Sequence, residues 1–117
     1  MRFLSLYTPS AENAATPPSA QHMAEMGQLA EEMTKAGVLL ATGAFVANSL
    51  GARVRSVDGT ITVTEGLPTG PRDRAHGFAL LQVSSRPEMF SVVERFLKVA
   101  GDGECELHVL MDGPPER

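Results

Sequence analysis

Residues 77 to 111 read GFALLQVSSRPEMFSVVERFLKVAGDGECELHVLM, and the fold turns on how they divide. GFALLQVS (77 to 84) is a strand-forming run. Ser85-Arg86-Pro87-Glu88 then fits a capping box, with Ser85 placed to accept from the first free N–H groups and Glu88 to reach back. Met89, Val92, Val93, Phe96, Leu97 and Ala100 fall on one helical stripe, and Gly101 stops it. The period then drops to two: Cys105, Leu107, Val109 and Met111 alternate with Glu104, Glu106 and His108. Strand, helix, strand is the unit, and its crossover must be right-handed.

Working back toward the amino terminus, GARVRSV and TITVT flank Asp58-Gly59, a pair that accepts the positive φ of a type I′ hairpin turn. A long polar connection, residues 65 to 76, joins this hairpin to the strand at Gly77. VLLATGAFVAN (38 to 48) is nearly continuously apolar and predicts a strand buried on both faces and bent at Gly43. From Ala20 to Ala36 the residues Met23, Met26, Ala30 and Met33 recur at helical steps, with Ser19 as N-cap and Gly37 just past the last turn. TPSAENAATPPSA (8 to 20) has the composition of a mobile connection, and RFLSLY (2 to 7) alternates as a first strand.

The order β-α-β-(hairpin)-β-α-β predicts an α+β, ferredoxin-like βαββαβ domain with an extra β-hairpin. Its sheet is antiparallel, with both helices on one face. Leu4 and Leu6 alternate with Phe3 and Tyr7, and Phe78 and Leu80 with Ala79, Leu81 and Val83. The strands are therefore apolar on both sides, and the face without helices is expected to meet a second copy of the chain in a homodimer.

The bulk properties agree with a single domain over residues 1 to 117: 43% hydrophobic residues are enough for one core, and 117 residues are too few for two. A net charge of -4 argues against nucleic-acid binding. Eight of the ten cations are Arg, however, and Arg53, Arg55, Arg72, Arg74 and Arg86 lie close enough in the chain to suit a small anion. No apolar run approaches the roughly 20 residues that cross a bilayer, and no cleavable leader pattern follows MRFLSLYTP. A cytoplasmic location without membrane contact is expected. Cys105 is the single cysteine and no metal-ligand spacing occurs, so no metal is expected. No cofactor is expected either, since there is no P-loop, dinucleotide fingerprint or GxSxG.

KAGVLLATG (35 to 43), GARVR (51 to 55), the Asp58-Gly59 hairpin, VTEG (63 to 66) and HGFALLQV (76 to 83) together resemble the YCII-related family, in particular its DGPF-domain branch. The resemblance implies a ferredoxin-like fold that pairs into a dimeric α/β barrel. The family's Asp-Gly-Pro-Phe motif would fall on Glu65-Gly66-Leu67-Pro68, with Glu in place of Asp and the proline displaced by one position. It also implies a histidine early in the first long helix as a candidate for chemistry, and His22 stands roughly there.

The candidate catalytic residues are His22, Glu65 and His76, and the candidate ligand-binding residues are Arg53, Arg55 and Arg72. His22 shares a helical stripe with Met26, Leu29 and Met33, and an imidazole suits acid-base work near neutral pH. Its plainer role is a partly exposed first-turn histidine. Arg53 and Arg55 share a strand face, where they would clamp a carboxylate or phosphate, or else guard a sheet edge. Glu65 would be a base or an ordinary loop carboxylate, and His76 a ligand contact or a strand-end residue. Arg72, Asp73 and Arg74 would be an anion clamp or a solvated cluster. Cys105 reads as a small buried hydrophobe. Two functions stand open: a small-molecule-binding or accessory protein without chemistry of its own, and a cofactor-independent isomerase or lyase acting on a small anionic substrate.

Overall fold

A computed structural model of the chain describes residues 1–68 and 75–111. Helix α3 (Arg86–Ala100) lies between strands β5 (Gly77–Gln82) and β6 (Gly103–Val109), as the opening stretch requires. Ser85 Oγ accepts from the Glu88 N–H, and Gly101 ends the helix with φ +94°. The Glu88 carboxylate reaches one residue further back than a capping box needs, accepting from the N–H and hydroxyl of Ser84.

β1 (Arg2–Pro9), α1 (Ala11–Ala15), α2 (Ala20–Lys35), β2 (Leu39–Ala44), β3 (Ala52–Val57) and β4 (Thr60–Glu65) precede that unit. Among the described residues, the main sheet has the order β2-β5-β1-β6 and β3-β4 form a separate pair. Each neighbouring pair is antiparallel. The crossovers β1-α2-β2 and β5-α3-β6 therefore each skip one strand, which is the ferredoxin-like arrangement. The core lies between sheet and helices: Phe3, Leu81 and Val83 meet Leu29 and Met33 of α2 and Met89 and Val93 of α3. Phe3 is fully buried and Met89 nearly so.

Three local expectations are corrected. The segment from residue 8 to 20 is ordered in part: β1 continues to Pro9, and α1 follows with Ser10 as N-cap. What holds it is Asn13, whose Nδ2 donates to the Tyr7 hydroxyl (2.9 Å) and to the backbone carbonyls of Ala100 and Asp102 (3.1 Å each). Residues 38 to 48 do not form one doubly buried strand. β2 ends at Ala44 and is an edge strand with Leu40 and Ala41 exposed, and its irregularity lies between Leu39 and Ala41 rather than at Gly43. An apolar run at the edge of a sheet looks the same in sequence as one at its centre. Of the methionines on α2, Met33 is buried and Met23 is exposed, so the core stripe runs Met26, Leu29, Met33.

The other face of the sheet is apolar at its centre. Leu4 pairs with Leu80 and Leu6 with Phe78 across β1 and β5, all half-buried, and Phe45 stacks on Phe78 with centroids 6.1 Å apart. The β6 side of this face is polar, with His108 opposite Leu4 and Glu106 opposite Leu6. α2 and α3 pack on the opposite face and leave this one bare.

The hairpin expected at Asp58-Gly59 is present: both residues have positive φ, 51° and 79°, as a type I′ turn demands. It stands away from the domain as an arm, every residue of β3 and β4 being exposed. The radius of gyration is 16.5 Å, against about 13 Å for a compact chain of this length.

Candidate functional site

A cavity of about 310 Å³ lies between the helix layer and the sheet. Met26, Leu29, Ala30 and Met33 of α2 and Val92, Val93 and Phe96 of α3 line one side. Ser5, Tyr7, Leu39, Thr42, Ala79 and Leu81 line the other, with Gly43, Ala44, Gly77 and Phe78 where the arm departs from the sheet. Small residues help create it: Ala30 and Ala79 leave room between α2 and the sheet, and Gly77 lets β5 run close to β2. Gly77 has no choice in this, because a Cβ there would meet the Gly43 carbonyl oxygen at 2.7 Å.

The wall is apolar apart from three hydroxyls, and each is already engaged. Thr42 Oγ1 donates to the Phe78 carbonyl at 2.8 Å. The Tyr7 hydroxyl lies 3.3 Å from the Gly101 carbonyl oxygen, to which it donates, and accepts from Asn13. Burial pushes the Tyr7 phenol up, with the Asn13 hydrogen bond opposing and the nearby Cys105 and Asp102 adding to the rise. Ser5, buried among apolar groups, hydrogen-bonds Cys105. Burial pushes that thiol up despite the Ser5 bond, with Glu104 adding to the effect, so Cys105 is a neutral thiol rather than a nucleophile. Because their protons point into the protein, Thr42 and Tyr7 have mainly acceptor capacity left for a guest.

None of the sequence-predicted site residues that the structure describes lines this cavity. His22 sits half-buried in the first turn of α2, its backbone N–H donating to Ser19 Oγ at 3.0 Å, one helical turn before Met26. Glu65 ends β4 and is exposed. His76 is exposed, while its backbone extends the sheet, donating to the Tyr7 carbonyl at 2.7 Å and accepting from the Phe45 N–H at 2.8 Å. Arg53 and Arg55 lie on one side of the arm, opposite Thr64 and Thr62. Arg72, with Asp73 and Arg74, lies outside the described residues. Among the described residues no side-chain hydrogen bond or ion pair joins His22 on α2, Glu65 at the end of β4 and His76 just before β5. His108 pairs with Glu106 at 3.2 Å, and among the described residues no three metal-ligating side chains converge.

The cavity was missed because apolar wall residues read as ordinary core in a sequence. The available signal was the small residues, Ala30 on an otherwise Met- and Leu-rich stripe and Gly77 and Ala79 in a strand run.

No protein-family model matches the chain, and no curated protein does. Seven solved chains match. They include 5-chloro-2-hydroxyhydroquinone dehydrochlorinase from Burkholderia phenoliruptrix AC1100 in complex with 2,5-dihydroxybenzoquinone, at a TM-score of 0.56 and 18% identity over 97% of this chain and 96% of that one. At that identity the likeness is one of fold, and it extends through nearly the whole of both chains: this chain has the α+β, ferredoxin-like fold of that enzyme.

Proposed function

We propose that the chain is a YCII-related protein of the DGPF branch, a cytoplasmic homodimer that binds a small, flat, hydroxyl-bearing ring compound between its helices and its sheet. The observation that supports this reading is the cavity itself, about 310 Å³ in volume, with an apolar wall and hydroxyls whose remaining capacity is to accept. Such a wall favours a neutral ring that donates hydrogen bonds and disfavours an acceptor-only anion, which would be desolvated without a cation beside it. The bare apolar sheet face supports the homodimer. The structural neighbour, in complex with 2,5-dihydroxybenzoquinone, gives the same fold a ring-shaped ligand.

A second reading, a cofactor-independent isomerase or lyase, draws on two observations. The neighbour is a dehydrochlorinase, and His22 lies one turn from Met26 in the cavity wall. In that reading His22, Glu65 or His76 moves a proton while Arg53, Arg55 or Arg72 holds an anionic substrate.

A thermal-shift series with hydroquinone, catechol, benzoate and inorganic phosphate separates the readings. A ligand at about 100 times its dissociation constant stabilises the folded state by about 2.7 kcal/mol, which is roughly 10 °C for a domain of this size. The binding reading expects the hydroxylated rings to raise the midpoint and Ala30→Phe, which fills the cavity, to abolish the shift. A response to benzoate or phosphate alone, lost in Arg53→Ala/Arg55→Ala and retained in Ala30→Phe, would replace it with the anion-handling reading.

A further inference from the structure

We infer that the β3–β4 arm is a dimer clasp, lying with its Val54, Ile61 and Val63 face against the helix-free sheet face of a second copy of the chain. The inference rests on the homodimer reading above and says which part of the chain makes the dimer stable.

Strand alternation places Val54, Ile61 and Val63, with Ala52, Ser56 and Glu65, on one side of the arm and Arg53, Arg55, Val57, Thr60, Thr62 and Thr64 on the other. The first side is the more apolar, yet Val54, Ile61 and Val63 on it are 63, 62 and 59% exposed. A two-stranded hairpin is at best marginally stable by itself in water and needs something against its apolar face. Its own sheet does not supply this. The molecule is 20 Å thick in its shortest direction, one sheet and one helix layer, so the arm runs out alongside the domain rather than folding beneath it.

A second copy is the occupant that the areas favour. Four strands of about six residues present a face of roughly 20 by 19 Å, near 380 Å², and the arm adds roughly 200 Å². An ordinary stable interface takes about 800 Å² of accessible surface from each partner. On the same projected scale the arm raises the surface each copy can offer by about half, toward that value. Each copy carries both halves of the contact, Leu4, Leu6, Phe78 and Leu80 on the sheet and Val54, Ile61 and Val63 on the arm. A two-fold axis lets each arm lie on the other's sheet and closes the assembly at two.

The chain contains no tryptophan, so Ile61→Trp adds a single indole reporter to the arm. Its emission is read across a dilution series beside sedimentation velocity of the unaltered chain. The clasp expects a dimer in which the indole emission is blue-shifted and moves red as the dimer dissociates. Val54→Asp/Val63→Asp, at two exposed positions that leave the core untouched, is expected to weaken the dimer roughly a hundredfold or more. A dimer in which the indole emits as in water and the double Asp variant dissociates like the parent overturns the clasp and leaves the sheet-face dimer standing. An unaltered chain that is monomeric at all concentrations overturns both. If Ile61→Trp fails to dimerise, the double Asp variant decides.

Discussion

Asn13→Ala tests the most local part of the structure with the most measurable consequence. Asn13 reaches from α1 to three oxygens, the Tyr7 hydroxyl and the carbonyls of Ala100 and Asp102, and so ties β1 to the end of α3. Its amide has two hydrogens, so about two bonds are lost at full strength. At roughly 0.5–1.5 kcal/mol each, with water able to replace part of the loss at a half-exposed site, the expected cost is about 1–2 kcal/mol. An unfolding entropy near 2.1 cal/mol/K per residue makes 1 kcal/mol worth about 4 °C here. Asn13→Ala should therefore lower the midpoint by about 4–8 °C in differential scanning fluorimetry at fixed protein concentration. Glu12→Ala, on the same helix but exposed and outside the network, is the control and should move it by less than about 2 °C. Equal midpoints for the two variants would refute the view that Asn13 orders this segment.

Phe3→Ala removes the fully buried centre of the core; a loss of about 3–5 kcal/mol is expected, read as a fall in the urea midpoint or as failure to fold. Stability should fall on the alkaline side. Tyr7 and Cys105 have raised values when folded, so their contribution is complete below the ordinary values of 10.0 and 9.0 and is lost as pH rises through the raised ones. Urea midpoints between about pH 7 and pH 11 should decline from about pH 9 upward, and Cys105→Ala should delay that decline; the same profile for both chains would count against it. Gly59→Ala meets no neighbour but forces a side chain to φ +79°. It should cost the arm about 1 kcal/mol, quickening amide exchange in residues 52–65 roughly fivefold. A large drop in the global midpoint instead would mean that the arm belongs to the cooperative core.

The fold was legible because its evidence is periodic. The switch from the stripe of Met89, Val93 and Phe96 to the alternation of Cys105, Leu107 and Val109 fixes a helix and a strand whatever surrounds them, and Asp58-Gly59 fixes a turn. Less was legible where order comes from distant partners. Nothing local in TPSAENAATPPSA says that Asn13 will find the carbonyl of Ala100, and nothing in VLLATGAFVAN says that its strand lies at an edge. The site was legible least. His22, Glu65 and His76 stand out for their chemistry, but a cavity is a gap left where five elements pack together, and its Met, Leu and Val wall has the composition of any core. Small residues at Ala30, Ala79 and Gly77 were its trace, visible once the elements were set against one another.

The seam between Gly43 and Gly77 links these parts mechanically. There the backbones of β2 and β5 lie too close for a side chain, and Phe45 and His76 extend the contact by a further hydrogen bond toward the arm. Gly43, Ala44, Gly77 and Phe78 are also cavity wall. The β2–β5 seam is thus shared between the sheet and the cavity wall. Under the proposed reading, a guest that prefers one setting of this seam would change the affinity between the two copies, and pairing would change the affinity for the guest by the same factor.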